Sequence, residues 1–210
     1  MSRILTRLFD RFSDAQHAVI ELEEAGVPHG DISLVSHTSD TAHSHFKHRD
    51  VHDKTAGEAA AAEGGASAVA GGVLGAAGGV LTGLGLMAIP GLGPVVAAGW
   101  LATAAVGAVA GAAVLGAAGG LVGALTHNGV SEAEAHIYAE AIRRGATLVS
   151  VKVDDKTAPA VEALLQTMPI VDVAARGAAY RKAGWSGFDE AAPPYTDAEI
   201  VIERTRYLRA

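Results

Sequence analysis

The middle of this chain carries no formal charge over a long stretch, because no Asp, Glu, Lys or Arg occurs from Gly64 to Ser131. Its first limb, Ala66–Ile89, exceeds the roughly 20 apolar residues that let a helix cross a bilayer. The second limb, Val95–Thr126, follows a sequence rich in proline and glycine that strongly indicates a turn. We therefore expect a long helical hairpin in the centre of the chain, packed against membrane or protein.

Small residues recur at every fourth position along much of both limbs. This spacing places them on one side of a helix and lets neighbouring backbones approach closely. A glycine inside a helix costs roughly 0.5–1 kcal/mol relative to alanine, so close packing has to compensate for it. The predicted self-association residues are Gly71, Gly75, Gly79, Gly83, Gly99, Gly107, Gly111, Gly116 and Gly120. The predicted hairpin turn consists of Pro90, Gly91, Gly93 and Pro94.

The residues before this stretch have the pattern strand, helix, strand. A short apolar run, Ile4–Phe9, precedes Ser13 and Gln16, which have the spacing of a capping box at a helix start. Gly26 is placed to end that helix, and Ile32–Val35 predicts the next strand. A strand–helix–strand connection predicts a right-handed crossover and a parallel pair.

The residues after the stretch repeat this order. Ser131 and Glu134 form a second predicted capping box, and Gly145 ends the helix that follows. Leu148–Val153 alternates in the manner of a half-buried strand. Further expected elements are a helix from Thr157 to Leu165 and a final strand, Val171–Ala174.

Together these elements predict an α+β fold. We expect a ferredoxin-like split βαβ domain that is interrupted by the glycine-zipper hairpin. The expected divisions are residues 1–36 and 129–177 for the two halves of the α/β domain, 37–63 for a polar linker, 64–128 for the hairpin and 178–210 for a C-terminal arm. A hairpin returns the chain to the side it left, so both halves can complete one sheet.

The C-terminal arm carries several aromatic residues close together. Thr196 and Glu199 form a third predicted capping box, for a short helix through Leu208. The apolar residues of this helix can dock on the chain's own sheet or on a neighbouring subunit. Both alternatives stay open from the sequence.

Two environments for the hairpin also stay open. Trp100 is the only aromatic residue between Phe46 and Tyr138, so the aromatic belts of membrane spans are missing, and no Lys or Arg cluster flanks the limbs. We expect a membrane-associated protein with its α/β domain on the cytoplasmic face. The alternative is a cytoplasmic soluble homo-oligomer with the hairpins buried in its core. The partners expected are other copies of the chain and a lipid bilayer.

The linker is rich in histidine and aspartate. If residues 43–53 are helical, His45, His48 and His52 share one face, and together with His43 they are candidate ligands for Zn²⁺, Ni²⁺ or Cu²⁺. A solvated linker whose histidines only titrate is the simpler interpretation. A pH-responsive segment is the third.

Several functional classes lack the residues they need. The chain has no cysteine, and its net charge of −7 comes without a basic stripe, which argues against nucleic-acid binding. The glycines follow neither the phosphate-loop nor the dinucleotide-binding pattern, and no nucleophile elbow occurs. We expect no enzyme and no cofactor. The N-terminus lacks the apolar core of a cleavable signal peptide.

Three stretches resemble the bacterial general stress protein 17M-like family, which comprises heat-induced proteins of the YflT type and low-temperature-induced relatives. They are Phe12–Ser33, with its Phe-Ser-Asp-Ala opening and Gly-Val-Pro; the turn Ala88–Pro94; and Gly129–Glu132, leading to Tyr138 and Gly145. The resemblance covers roughly residues 4–175 and leaves out the histidine-rich linker and the arm. It implies stress-linked expression and a non-enzymatic role, and it supplies no catalytic residues.

Overall fold

The computed structural model describes residues 2–38, 85–89, 91–102, 104 and 120–208. A short 3-10 turn, His29–Asp31, precedes the second strand. The strands are β1 (Ser2–Phe9), β2 (Ile32–His37), β3 (Gly85–Ile89), β4 (Gly93–Ala98) and β5 (Thr147–Asp154). The helices are α1 (Phe12–Glu24), α2 (Gly120–His127), α3 (Glu132–Arg143), α4 (Ala158–Gln166), α5 (Val173–Lys182) and α6 (Asp197–Leu208).

The five strands form one sheet in the order β1-β5-β2-β4-β3, and every neighbouring pair is antiparallel. The predicted α+β class is confirmed. Because β1 and β2 are both antiparallel to β5, they run in the same direction with β5 between them. The expectation that β1 and β2 pair directly was therefore wrong: the later strand β5 occupies the position between them.

Helices pack on both faces of the sheet, because side chains alternate along each strand. On one face Val149, Val151 and Val153 of β5 contact the apolar sides of α1 and α4. On the other face Leu148 belongs to a core built from α2, α3 and Tyr180 of α5. The second core also receives residues from β4 and the C-terminal arm, so both flanks of the chain contribute to one folded unit.

Buried hydroxyl groups in the sheet are hydrogen-bonded to each other or to the backbone. The Oγ1 of Thr6 and the Oγ of Ser150 lie 3.0 Å apart across β1 and β5. The Oγ of Ser36 and the Oγ1 of Thr147 lie 2.9 Å apart across β2 and β5. These pairs avoid the cost of burying an unpartnered polar group.

The prediction that both limbs are helical was wrong on either side of the turn. Residues 85–89 and 95–98, which were expected to be helical, lie in the antiparallel strands β3 and β4, and the predicted turn residues Gly93 and Pro94 begin β4. The second limb is helical at residues 100–102 and in α2. Most of the first limb and residues 105–119 lie outside the described residues. Among the helices that the structure describes, none has the length and apolar character needed to cross a membrane.

Two local predictions also failed. The region expected to be the strand Val171–Ala174 leads into α5, because the Asp172 carboxylate accepts a hydrogen bond from the Ala175 N–H and caps this helix. Ser13 does not cap α1, because it lies inside this helix, which begins at Phe12, after Arg11, without a side-chain cap. The other two predicted capping boxes form, at Ser131 and at Thr196.

Candidate functional site

A cavity of about 640 Å³ opens where α2, the start of α3 and the C-terminal arm meet. Its lining comes from three separate parts of the sequence, and it combines aliphatic and aromatic surface with carboxylates. The lining residues are Val122, Thr126, Val130, Glu132, His136, Phe188, Asp189, Glu190 and Ala191.

The local sequence explains how the chain ends α2 and begins α3 at this cavity. Gly129, with a φ of +92°, adopts the left-handed conformation that follows many helix ends. The Ser131 Oγ then accepts a hydrogen bond from the Glu134 N–H at 3.3 Å and starts α3. Glu132 and His136 are four residues apart in α3, so they lie on the same side of the helix and both reach the cavity.

One hydrogen bond joins the arm to α3 at the cavity, and a second lies within the arm. The Phe188 N–H donates to Nδ1 of His136 at 3.2 Å, and the Ala191 N–H donates to Oδ1 of Asp189 at 2.9 Å. Because Nδ1 of His136 accepts, the proton of the neutral imidazole is assigned to Nε2. That nitrogen lies 4.0 Å from Oε1 of Glu132.

The charges around the cavity are mainly negative. Glu132, Asp189 and Glu190 contribute three carboxylates, and no Lys or Arg is among the lining residues that the structure describes. Burial raises the pKa of Glu190, and His136 opposes this shift. The cavity thus places a partly desolvated carboxylate beside apolar walls.

The arm also covers the turn between β3 and β4. Gly91 and Gly93 have φ values of +74° and +80°, which favour glycine. A Cβ atom at Gly93 would lie 2.7 Å from Cβ of Pro194, and one at Gly91 would lie 2.9 Å from Cζ of Phe188. These two predicted turn residues have to be glycine for two reasons: their φ values are positive, and the arm packs where a side chain would lie. The structure places Pro94 at the start of β4, while Pro90 lies outside the described residues.

A buried ionic cluster joins α3 to α6 and anchors the end of the arm. Nε of Arg144 lies 2.6 Å from Oε1 of Glu140, and Nη1 of Arg144 lies 2.9 Å from Oε2 of Glu203. The two glutamates are 1% and 7% exposed. The guanidinium of Arg144 also lies 4.3 Å from the centre of the Tyr180 ring. Burial alone would lower the pKa of Arg144, but the hydrogen bonds that it donates to both glutamates raise this pKa, so Arg144 stays charged.

A second ion pair links α5 to the end of β1. Nη2 of Arg176 lies 2.8 and 2.9 Å from the two carboxylate oxygens of Asp10, and its guanidinium lies 3.9 Å from the centre of the Tyr207 ring. Tyr180 packs edge-on against both Tyr207 and Trp185. These contacts dock the arm on its own chain, which was one of the two alternatives from the sequence.

Two predicted self-association glycines lie within the described residues, and neither has the backbone conformation of a helix interior. Gly99 follows β4 with a φ of +78°, and a side chain there would collide with the carbonyl oxygen of Ile32. Gly120 is the first residue of α2, with a φ of +68°. Lying outside the described residues are Gly71, Gly75, Gly79, Gly83, Gly107, Gly111 and Gly116.

The predicted metal ligands His43, His45, His48 and His52 also lie outside the described residues. Within the described part of the chain, no group of three or more His, Cys, Asp or Glu side chains is arranged to hold a metal ion. The cavity residues Glu132 and His136 were not predicted, although their four-residue spacing after a helix cap was visible. Phe188 and Glu190 reach them only through the fold of the arm.

No protein-family model matches the chain, and neither a curated protein nor a solved structure matches it significantly. The resemblance to the general stress protein 17M-like family therefore stays a prediction.

Proposed function

We propose that this protein is a non-enzymatic, stress-associated protein that self-assembles through its central segment and attaches to a membrane. One observation carries the proposal: no charged residue interrupts the sequence from Gly64 to Ser131. A segment of this composition gains free energy when lipid or another copy covers it. The four-residue glycine spacing between Gly71 and Gly83 favours close helix packing.

The connections of the domain support this proposal. The strands β3 and β4 come from the uncharged segment, yet they extend the sheet that β1, β2 and β5 begin. Residues 39–84 and 105–119 are therefore tied to the domain at both of their ends. The domain is proposed to be a ferredoxin-like split βαβ unit, since β5 lies between β1 and β2, and the glycine zipper is proposed to come from the glycine-rich sequence on either side of the β3–β4 pair. Its proposed location is the cytoplasmic face.

A carbonate wash combined with light scattering tests the assembly and its attachment. The full chain should remain in the membrane pellet and, after extraction in detergent, should show the mass of a homo-oligomer. The double variant Gly75→Ile/Gly79→Ile should lower that mass, because the larger side chains keep helices apart. The matched control is Gly30→Ile/Gly187→Ile, since neither position has an atom within 4 Å of an added Cβ.

The outcomes separate the alternatives. If carbonate releases the oligomer as a discrete particle, the result would favour the soluble homo-oligomeric scaffold over membrane attachment. An oligomer whose mass is unchanged by the Gly75→Ile/Gly79→Ile change would contradict the glycine zipper itself. A protease that cleaves the arm only in inverted vesicles would support the cytoplasmic face.

The histidine-rich linker supports a second candidate function, a transition-metal-binding or ligand-sensing module. Four histidines lie within ten residues of one another. Titration calorimetry with Zn²⁺, Ni²⁺ and Cu²⁺ should then give binding that disappears when His45, His48 and His52 are changed to Ala. The control variant is His17→Ala, at an exposed position of α1. Absence of heat with all three metals would remove this candidate.

A further inference from the structure

The cavity beneath the arm has the dimensions of a small-molecule site. Its volume of about 640 Å³ falls in the range of roughly 300–1,000 Å³ that is usual for such sites. One wall is α2, a second is the start of α3, and the third is the arm segment from Phe188 to Ala191. The hydrogen bond from Phe188 to His136 fixes the third wall against the second.

The polar groups of the cavity select for positive charge. Asp189 already accepts a hydrogen bond from the arm's own backbone, and Nδ1 of His136 is likewise occupied. Glu190 is half-buried, with the histidine as the neighbouring group that opposes its desolvation. Glu132 stands at the rim with a side chain that is 82% exposed. A cation between these two glutamates would compensate the desolvation of Glu190.

The remaining surface selects for an apolar body. Val122 is buried in the floor, and Val130 and the Phe188 ring form the sides. Apolar walls of this kind bind hydrocarbon by removing it from water. A bare metal ion would leave most of this volume unfilled, and the described residues hold no group of metal-binding side chains.

We infer that this cavity binds a small organic cation, an ammonium group carried on an apolar body. The ammonium lies between Glu190 and Glu132, and the body packs against Val122 and Phe188. This inference is tested separately from the proposed assembly, because the two carboxylates it depends on, Glu132 and Glu190, lie outside the uncharged segment, although that segment contributes Val122 to the floor.

Two probes of matched shape test the charge requirement. Benzylamine is protonated at neutral pH, whereas benzyl alcohol has nearly the same size without the charge. In titrations followed by Phe188 and Trp185 resonances, the full chain should bind benzylamine at least about tenfold more tightly than benzyl alcohol, the factor expected from one charge-assisted hydrogen bond. Equal affinities, or no benzylamine binding at up to about 10 mM, would overturn the inference.

Three variants locate the site. Glu190→Gln and Glu132→Gln keep the side-chain shape and remove one charge each, so each should weaken benzylamine binding several-fold while leaving benzyl alcohol unaffected. Glu24→Gln is the control, because this exposed carboxylate lies at the end of α1 on the opposite face of the sheet. Because the side chain of Glu132 is 82% exposed, Glu132→Gln should leave the fold intact. Benzylamine binding that is unaltered by both cavity variants, or weakened equally by Glu24→Gln, would contradict the assignment.

Discussion

Glu190 of the arm lies directly against Gly91 of the β3–β4 turn: a Cβ atom at Gly91 would be 2.8 Å from the Cα of Glu190. The same glutamate lines the cavity on its other side. A single residue of the arm thus touches both the candidate binding cavity and the turn of the uncharged segment. The arm can dock here only because residue 91 has no side chain.

Gly91→Ala should therefore destabilise the protein and loosen the arm. A left-handed backbone costs a residue with a Cβ about 1–2 kcal/mol, and the new methyl group would also displace Glu190 and Phe188. Urea unfolding should show a lower free energy of unfolding from both effects together. Limited proteolysis should show faster cleavage between residues 185 and 195.

The control for this variant is Gly26→Ala. Gly26 has a φ of +88° but no atom within 4 Å of an added Cβ, so it carries the backbone strain without the steric contact. Gly26→Ala should lower the free energy of unfolding, but it should not speed the cleavage of the arm. Equal effects of the two changes on proteolysis would show that the arm does not depend on Gly91.

Arg144→Met should be among the most destabilising single changes in the described domain. It removes the cation that Glu140 and Glu203 share, whereas each keeps a second arginine, Arg143 at 3.6 Å and Arg206 at 2.6 Å. The loss should therefore lie near the lower end of the about 3–5 kcal/mol that breaking a buried ion pair costs. Arg3→Met is the matched control, because Arg3 and its partner Glu162 are 46% and 38% exposed. Exposed pairs of this kind contribute about 0–1 kcal/mol. Urea unfolding that gives similar losses for both variants would contradict the buried cluster.

Alkaline pH should unfold the protein through its buried tyrosines. Burial raises the pKa of Tyr138 to about 12, with a further contribution from Glu134, and burial also raises the pKa of Tyr180. Unfolded tyrosines ionise near pH 10, so between about pH 10 and 12 the unfolded state binds fewer protons than the folded state. The free energy of unfolding should be steady below this range and then fall by about 1.4 kcal/mol per pH unit for each such tyrosine.

Tyr138→Phe isolates one of these contributions. The variant loses a long hydrogen bond of 3.4 Å to the carbonyl oxygen of Thr6 at every pH, which shifts the whole curve. Its fall in stability above about pH 10 should be shallower than that of the unaltered chain. Urea unfolding at several pH values measures both slopes, and identical slopes would show that Tyr138 does not contribute.

The elements with clear local signals were predictable. Alternating valines marked β5, and helical spacing with a terminal glycine at Gly26 or Gly145 marked α1 and α3. The strands β3 and β4 were missed because short, wholly apolar runs do not reveal their period, and the glycine spacing suggested helix. Their conformation is decided by pairing: β4 pairs with β2, which lies far away in the sequence, and β3 pairs with β4.

The candidate cavity was less predictable than the fold. Its floor and one wall come from the region of α2 and α3, but Phe188 and Glu190 join them only because the arm crosses the β3–β4 turn. No periodicity in the sequence encodes that crossing. The glycines at 91 and 93 were recognised as turn residues, whereas their second role, making room for the arm, depends on the tertiary structure.

Ser131→Ala tests how firmly the cavity depends on the start of α3. The Ser131 hydroxyl donates to Oε2 of Glu134 at 2.6 Å, and its oxygen caps the Glu134 N–H. The cavity residue Glu132 follows Ser131 directly, and His136 lies in the next turn. Loss of such a cap costs about 0.5–2 kcal/mol, and fraying of this turn should also weaken benzylamine binding. Ser13→Ala is the control, since Ser13 has the same predicted motif but does not cap α1, so urea unfolding should detect a change of less than about 0.5 kcal/mol. If the two alanine variants unfold at the same urea concentration, the Ser131 cap contributes nothing, and the order of α3 at the cavity must come from packing of Ala135 and Ile137 in the core.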